Sequence, residues 1–210
     1  RDEFCQRKLL NRQQCELIHG IGIDLDYFSY SPITNYDTFI MVARMLKAKG
    51  VLEYCECART IKKTYPASKF LYLGAEGDLT KKSIEEYIND GSIEYLGFSK
   101  DVRKYLKAST CFVLPSYREG YPVSIMEAQA MGRPVITTDT NGCKETVING
   151  YNGYCVPMHN IEALEEACKA IISSKEKLQE LSCNARTFAE QHYDAVKISK
   201  TIINVIESNS

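Results

Sequence analysis

Cys111-Phe112-Val113-Leu114, then Pro115-Ser116-Tyr117-Arg118-Glu119-Gly120-Tyr121, then Pro122-Val123-Ser124-Ile125-Met126-Glu127-Ala128 follow one another without a gap, and this run decides the fold. The first four residues are apolar throughout, as in a strand buried on both faces of a parallel sheet. The next seven break that pattern with proline, charge and glycine. The last seven open a helix, with Pro122 in the first turn, where an N–H would lack an intrahelical partner anyway. Strand, loop and helix thus succeed one another within eighteen residues.

The same unit recurs on either side. Upstream, Phe39–Ala43 reads as a buried strand, followed by a helix over 51–61 with apolar residues at helical spacing. Phe70–Gly74 is the next strand, stopped by glycine. Residues 80–89 read as an amphipathic helix with Ile84, Tyr87 and Ile88 on one face. Ile93–Leu96 follows as a strand, with a helix near 101–109. Downstream of a helix over about 123–131 come strands at 134–138 and 153–156, and then helix from 160 to 207 with one break near Ser173-Ser174. Apolar strands alternating with helices give an α/β, doubly wound parallel sheet of Rossmann-like type. Such sheets bind ligands at the carboxyl ends of their strands, so the loops after 43, 74, 97 and 115 are the ones to search. Residues 1–30 stand outside the repeat: Cys15 to Asp24 reads as a strand entering a glycine-rich turn.

Composition excludes several classes. The 210 residues are 44% hydrophobic with 12 Gly and 6 Pro, so the chain is neither disordered nor collagen-like. A net charge of -1 offers no global attraction to nucleic acid. The nine cysteines form no C-x-x-C pair, so a metal site is disfavoured and reduced thiols of a cytosolic protein fit better. Cys55 and Cys57, two apart on a helix, should point to different sides. No signal peptide and no run approaching ~20 apolar residues is present. The chain begins with Arg1 rather than Met, consistent with a fragment.

Two segments could carry chemistry. A helix starting near Pro122 would aim the N–H groups of Val123 and Ser124 at the loop, where an anion could sit. Gly120 would let a ligand approach the backbone, and Glu119 and Glu127 would both reach it. Glu127 could equally be an ordinary solvated helix residue, and Glu119 one favoured by the helix dipole. Arg44 and Lys49, in Arg44-Met45-Leu46-Lys47-Ala48-Lys49-Gly50, could converge on a diphosphate. A solvated loop with three cations is the plainer alternative. His19, His159 and His192 read as strand-end or surface residues.

Taken together, the motifs resemble the nucleotide-sugar glycosyltransferases of family 4, which have the GT-B fold. The E-x7-E signature falls on Glu119 and Glu127, and Ala43–Gly50 is similar to the family's arginine loop. Gly97-Phe98 matches the strand end before the base-binding loop. Ala130–Asp139 resembles the helix exit and next strand, and Asn149–Tyr154 the late glycine turn. The resemblance runs from about residue 16 to 206.

It implies the C-terminal half of a GT-B fold. Residues 1–20 would be a linker or remnant of an N-terminal acceptor domain. Residues 21–192 would form the Rossmann-like nucleotide-sugar-binding domain, and residues 193–210 a C-terminal crossover helix. It also implies a retaining, metal-independent hexosyltransferase without cofactor. This enzyme would move a hexose or N-acetylhexosamine from a nucleotide sugar, a UDP-sugar foremost, to a saccharide or lipid-linked acceptor held by the missing domain. Arg44 and Lys49 would hold the diphosphate, Glu119 the sugar and Glu127 the ribose. The amides of Val123 and Ser124 would add donors beside Gly120, while Phe98, Ser99 and Lys104 would flank the base. The chain departs from the family at Pro122, where many relatives have glycine; the N–H that glycine supplies near the sugar is absent here. Asp139–Glu145 is similar to bacterial surface-polysaccharide enzymes of the family. The expected setting is cytoplasmic, with peripheral membrane association of the full-length protein and no nucleic-acid partner. A nucleotide-sugar epimerase of the same fold and a non-catalytic nucleotide-binding module are the alternatives.

Overall fold

The computed structural model describes residues 5–9, 11 and 20–207. Runs that are apolar on both faces become its strands: β1 (Thr38–Val42), β2 (Lys69–Leu73), β3 (Glu94–Tyr95), β4 (Cys111–Leu114), β5 (Val135–Thr138) and β6 (Gly153–Val156). They form one parallel sheet in the order β3-β2-β1-β4-β5-β6. This order matches the doubly wound reading, and its direction reverses between β1 and β4, the position where such sheets open a crevice. In register, Phe39 faces Cys111 and Ile40 faces Phe112 across that seam.

The helices are α1 (Val51–Thr64), α2 (Glu85–Asn89), α3 (Arg103–Ala108), α4 (Val123–Ala130), α5 (Ile161–Ser173), α6 (Lys175–His192) and α7 (Ala195–Glu207). α1 packs with α5 and α4 with α6, and the main core between sheet and helices includes Phe39, Phe70, Tyr54, Phe112, Val113 and Ile125. A smaller cluster of Ile23, Met126, Ala130, Phe188, Ala189 and Tyr193 joins α4 to α6.

Several local expectations change. The helix expected over 80–89 begins as a 3-10 turn at Lys81–Ile84. The strand at 93–96 shortens to two residues because it is a sheet edge, paired on one side only. Pro122 caps α4 from outside, with extended backbone, instead of occupying its first turn. The C-terminal helical stretch has a second break, at Tyr193 and Asp194 before α7. Cys55 and Cys57 are both fully buried, although they leave the helix in different directions. Six of the fourteen residues of α1 are buried, so both flanks are covered, and Cys57 meets Cys168 of α5 at 3.8 Å between sulfurs. The eight cysteines among the described residues are all unpaired. His192, expected at the surface, is half-buried with its ring 4.3 Å from that of Phe188.

Cys15, His19 and the strand expected before Gly20 lie outside the described residues. Where the description resumes, Ile23 bridges to Asp194: its amide donates to the Tyr193 carbonyl and its carbonyl accepts from the Ala195 amide. Gly22 has a φ of 74°, and a Cβ there would stand 2.7 Å from the Cα of Ala195. The entering chain and the start of α7 therefore touch backbone to backbone.

Candidate functional site

The loops that follow β1 and β4 are locked together before any side chain is considered. Gly50 ends the first loop with φ 73°, and a Cβ on it would stand 2.1 Å from the Pro115 carbonyl oxygen. The Ala48 carbonyl accepts from the Tyr117 amide at 2.8 Å and from the Ser116 hydroxyl at 3.0 Å. On the other side, Gly142, at φ 83°, brings the loop after β5 against the second loop; a Cβ there would meet the Gly120 oxygen at 2.2 Å. Both loops are held by contacts that only glycine permits.

Between them lies a cleft of about 620 Å³ lined by Arg44, Lys49, Glu119, Val123, Ser124 and Glu127, with Val42, Ala43, Leu46, Leu114, Tyr121 and Pro122. A second cavity of about 310 Å³ shares Val42, Ala43 and Arg44 with it and continues along the strand ends past Gly74 to Phe98, Ser99 and Val102. The two cavities adjoin at Arg44, with Lys49, Glu119 and Glu127 on one side and a mainly apolar lining on the other. That division suits a ligand with a charged centre and one flat apolar end.

Lys49 Nζ lies 2.5 Å from Glu119 Oε1, with the Glu119 side chain only 10% exposed. Arg44 is exposed and forms no ion pair among the described residues, so its guanidinium is the cation open to an incoming anion. Pro122 caps α4 without a side-chain hydrogen bond, and the first amides, those of Val123 and Ser124, have no intrahelical acceptor. They add the positive end of a helix dipole to the cleft. Glu127, one turn into α4, is half-buried, and burial pushes its carboxyl up to about 7. It is therefore poised to ionise when hydrogen-bond donors arrive.

Of the residues expected at the site, Arg44, Lys49, Glu119, Glu127, Val123 and Ser124 share the first cavity, and Phe98 and Ser99 line the second. Gly120 lines neither cavity, but a Cβ on it would meet nothing within 4 Å, so its backbone borders open space. Lys104 does not join the site. It is exposed on α3, with its ammonium 4.6 Å from the Tyr105 ring, and lines neither cavity. Tyr121 and Leu46 were not expected. Tyr121 could have been found from its place between Glu119 and α4, whereas Leu46 carries no signal beyond its loop. Among the described residues no group of three or more His, Cys, Asp or Glu could hold a metal ion, and no helix is long and apolar enough to cross a membrane.

The sequence model of the family described as "Glycosyl transferases group 1" matches residues 25–188. The chain is 33% identical, over 90% of its length and 54% of the relative's, to the N,N'-diacetylbacillosaminyl-diphospho-undecaprenol alpha-1,3-N-acetylgalactosaminyltransferase of Campylobacter jejuni. It is 32% identical, over 78% of its length and 43% of the relative's, to the UDP-Gal:alpha-D-GlcNAc-diphosphoundecaprenol alpha-1,3-galactosyltransferase of Escherichia coli. The chain thus spans about half the length of these curated relatives. Its fold is similar to that of Anabaena HepE, solved in complex with UDP, with a TM-score of 0.80 at 21% identity over 89% of this chain and 56% of the other.

Proposed function

Since this chain belongs to the glycosyl transferases group 1 family, we propose that it is the donor-binding half of a retaining, family 4 enzyme that transfers a hexose or N-acetylhexosamine from a UDP-sugar. The observation that carries this reading is the convergence of Arg44, Lys49, Glu119, Glu127 and the first amides of α4 on one cleft at the sheet's reversal point. Arg44 binds the diphosphate as a fork and Lys49 as a point charge, its Nζ shared with Glu119. Charge grows on the leaving diphosphate as the anomeric bond breaks, and these fixed cations together with the α4 amides stabilise it. Glu119 positions the sugar. Glu127 accepts hydrogen bonds from the ribose hydroxyls, and the cavity at Phe98 and Ser99 takes the base.

The acceptor would be held by the part of the curated relatives that this chain does not span. The relatives' names specify diphospho-undecaprenol-linked sugars, which supports a lipid-linked saccharide acceptor in surface-polysaccharide synthesis. The reaction would then run at the cytoplasmic face of a membrane. Protein cations take the place of a divalent ion in this scheme, so no cofactor is required.

Thermal unfolding tests the reading. UDP at ~100 times its dissociation constant should stabilise the chain by about 2.7 kcal/mol, a shift of several degrees. UMP should shift it less, and magnesium or a chelator should make no difference. A UMP shift equal to that of UDP would remove the diphosphate roles of Arg44 and Lys49.

Glu127 gives a second test, by calorimetry. Its folded pKa of about 7 lies above the ordinary 4.5. In the unliganded chain its contribution to stability is therefore full below about 4.5 and lost as pH rises through about 7. Ribose hydroxyls favour the ionised form, so binding releases a proton and strengthens with pH. UDP affinity should rise about tenfold from roughly pH 6 to pH 8 through this carboxylate. Glu127→Gln should remove that part of the slope; the phosphate's own titration is common to both proteins and cancels. Identical slopes would take Glu127 out of the site.

A further inference from the structure

Glu53, Tyr117 and His159 meet at the carboxyl edge of the sheet but outside the cleft, on the side of the Glu119 loop that faces α1. They come from three segments: the first turn of α1, the loop between β4 and α4, and the loop between β6 and α5. The Tyr117 hydroxyl donates to Glu53 Oε1. The His159 ring lies against the Tyr117 ring with centroids 4.0 Å apart, and His159 Nδ1 is 3.6 Å from the same Glu53 oxygen. Burial, then the carboxylate of Glu53, raises the Tyr117 hydroxyl above its ordinary range, so it stays a donor. His159 holds this place with a φ of 59°, a conformation uncommon outside glycine.

We propose that Glu53, Tyr117 and His159 form a positioning unit that fixes the Glu119 loop against the Arg44–Lys49 loop and so sets the grip of the cleft on the distal phosphate of a nucleoside diphosphate. The proposal rests on the donor-site reading above. Tyr117 stands two residues before Glu119, and its amide already bonds the Ala48 carbonyl. Gly120 follows, with open space where a side chain would be. A glycine beside the acidic residue leaves that loop's backbone freer, so an anchor on each side narrows its conformations. Gly142 supplies one anchor through its contact with Gly120, and the Tyr117–Glu53 bond supplies the other. Glu119, thus held, keeps Lys49 at 2.5 Å, so the cation is in place before a ligand arrives. Ordering it beforehand removes a cost from binding. Glu53 and Tyr117 line neither cavity and act through the loop.

The test uses three variants of the chain with UDP and UMP as probes. Tyr117→Phe keeps the ring contact with His159 and removes only the donor. Glu53→Ala removes the acceptor, and Glu53→Gln restores an oxygen at the same reach. Calorimetry should show UDP affinity reduced about tenfold in Tyr117→Phe and Glu53→Ala, with UMP reduced far less and Glu53→Gln close to the unmodified chain. Without nucleotide, hydrogen exchange at the amides of residues 117–120 should be faster in the first two variants. An unaltered ratio of UDP to UMP affinity overturns the proposal whatever the melting temperature does, because a packing role alone would weaken both nucleotides alike. If the unmodified chain binds neither nucleotide, the donor-site reading has failed, and the exchange rates by themselves then uphold or overturn the tie.

Discussion

Arg44→Ala, made in a protein as long as the curated relatives, is expected to reduce sugar transfer by about a hundred- to a thousandfold while leaving the melting temperature where it was. Both halves of this expectation come from the same facts. Arg44 is exposed and forms no ion pair among the described residues, so removing it costs the unliganded fold nothing. It also stands where the two cavities adjoin, so in the proposed donor site a diphosphate between the base and sugar ends would pass it. Lys49 differs, since its 2.5 Å pair with Glu119 gives it a partner in the empty site. The effect should fall mainly on kcat, because the leaving diphosphate carries more negative charge in the transition state than in the bound substrate. Arg44→Lys should recover only part of the rate, as an ammonium cannot replace the guanidinium fork. Steady-state kinetics with the UDP-sugar decide it. A rate within a few fold of the unmodified enzyme would remove Arg44 from the catalytic machinery.

The second large effect concerns Arg133, which is fully buried. Its Nη1 donates to the carbonyls of Ser109 at 2.6 Å and Lys107 at 3.4 Å; its Nη2 donates to the Met131 carbonyl at 3.0 Å, the Ser31 hydroxyl at 3.2 Å and the Ser31 carbonyl. Lys107 belongs to the last turn of α3, and Met131 caps the end of α4. The guanidinium thus sits among the negative ends of two helices, which offsets part of its desolvation. Burial still draws its pKa down to about 10, so it remains charged at neutral pH. Arg133→Met should destabilise the chain by about 3–5 kcal/mol, since the carbonyls of the buried residues Ser31 and Ser109 lose a charged donor. Arg133→Lys should rescue little, because one ammonium cannot reach both helix ends. Urea denaturation would show a lower midpoint with little change in slope. Lys169→Ala, at an exposed pair with Glu166, should move the midpoint hardly at all. A loss below about 1 kcal/mol for Arg133→Met would mean that the helix ends find other donors or water.

Much of the fold was legible because a parallel sheet writes its strands as short apolar runs. The interiors of β1, β2 and β4 to β6 fall where Phe39, Phe70, Cys111, Val135 and Gly153 suggested, with ends shifted by a residue or so. β3 was overdrawn: Ile93 and Leu96 are apolar, but only Glu94 and Tyr95 find ladder partners. The cleft was legible to the extent that its residues cluster along the chain, as Arg44 with Lys49 and Glu119 with Glu127 do. Lys104 lines neither cavity, since a cation nearby in sequence says nothing about which side of α3 it leaves. Arg133 and the Glu53–Tyr117–His159 contact could not be read at all. Glu53 and Tyr117 are 64 positions apart, and no periodicity or spacing marks a pair brought together only by the closure of a sheet.

That closure has a kinetic side. β1 and β4 are neighbours at the centre of the sheet although Phe39 and Cys111, paired across it, are separated by the whole of β2, β3 and three helices. Joining them costs little extra at equilibrium, since loop-closure entropy grows only about 0.6 kcal/mol per doubling of length. It does slow the search, because distant contacts must form before they stabilise anything. During synthesis β1 can pair with β2 as soon as both emerge, but the cleft has no second wall until residue 114 and the helix after it have been made. Arg44 and Glu119 therefore come into register late, and nucleotide affinity should appear in one step with the last cooperative stage of folding.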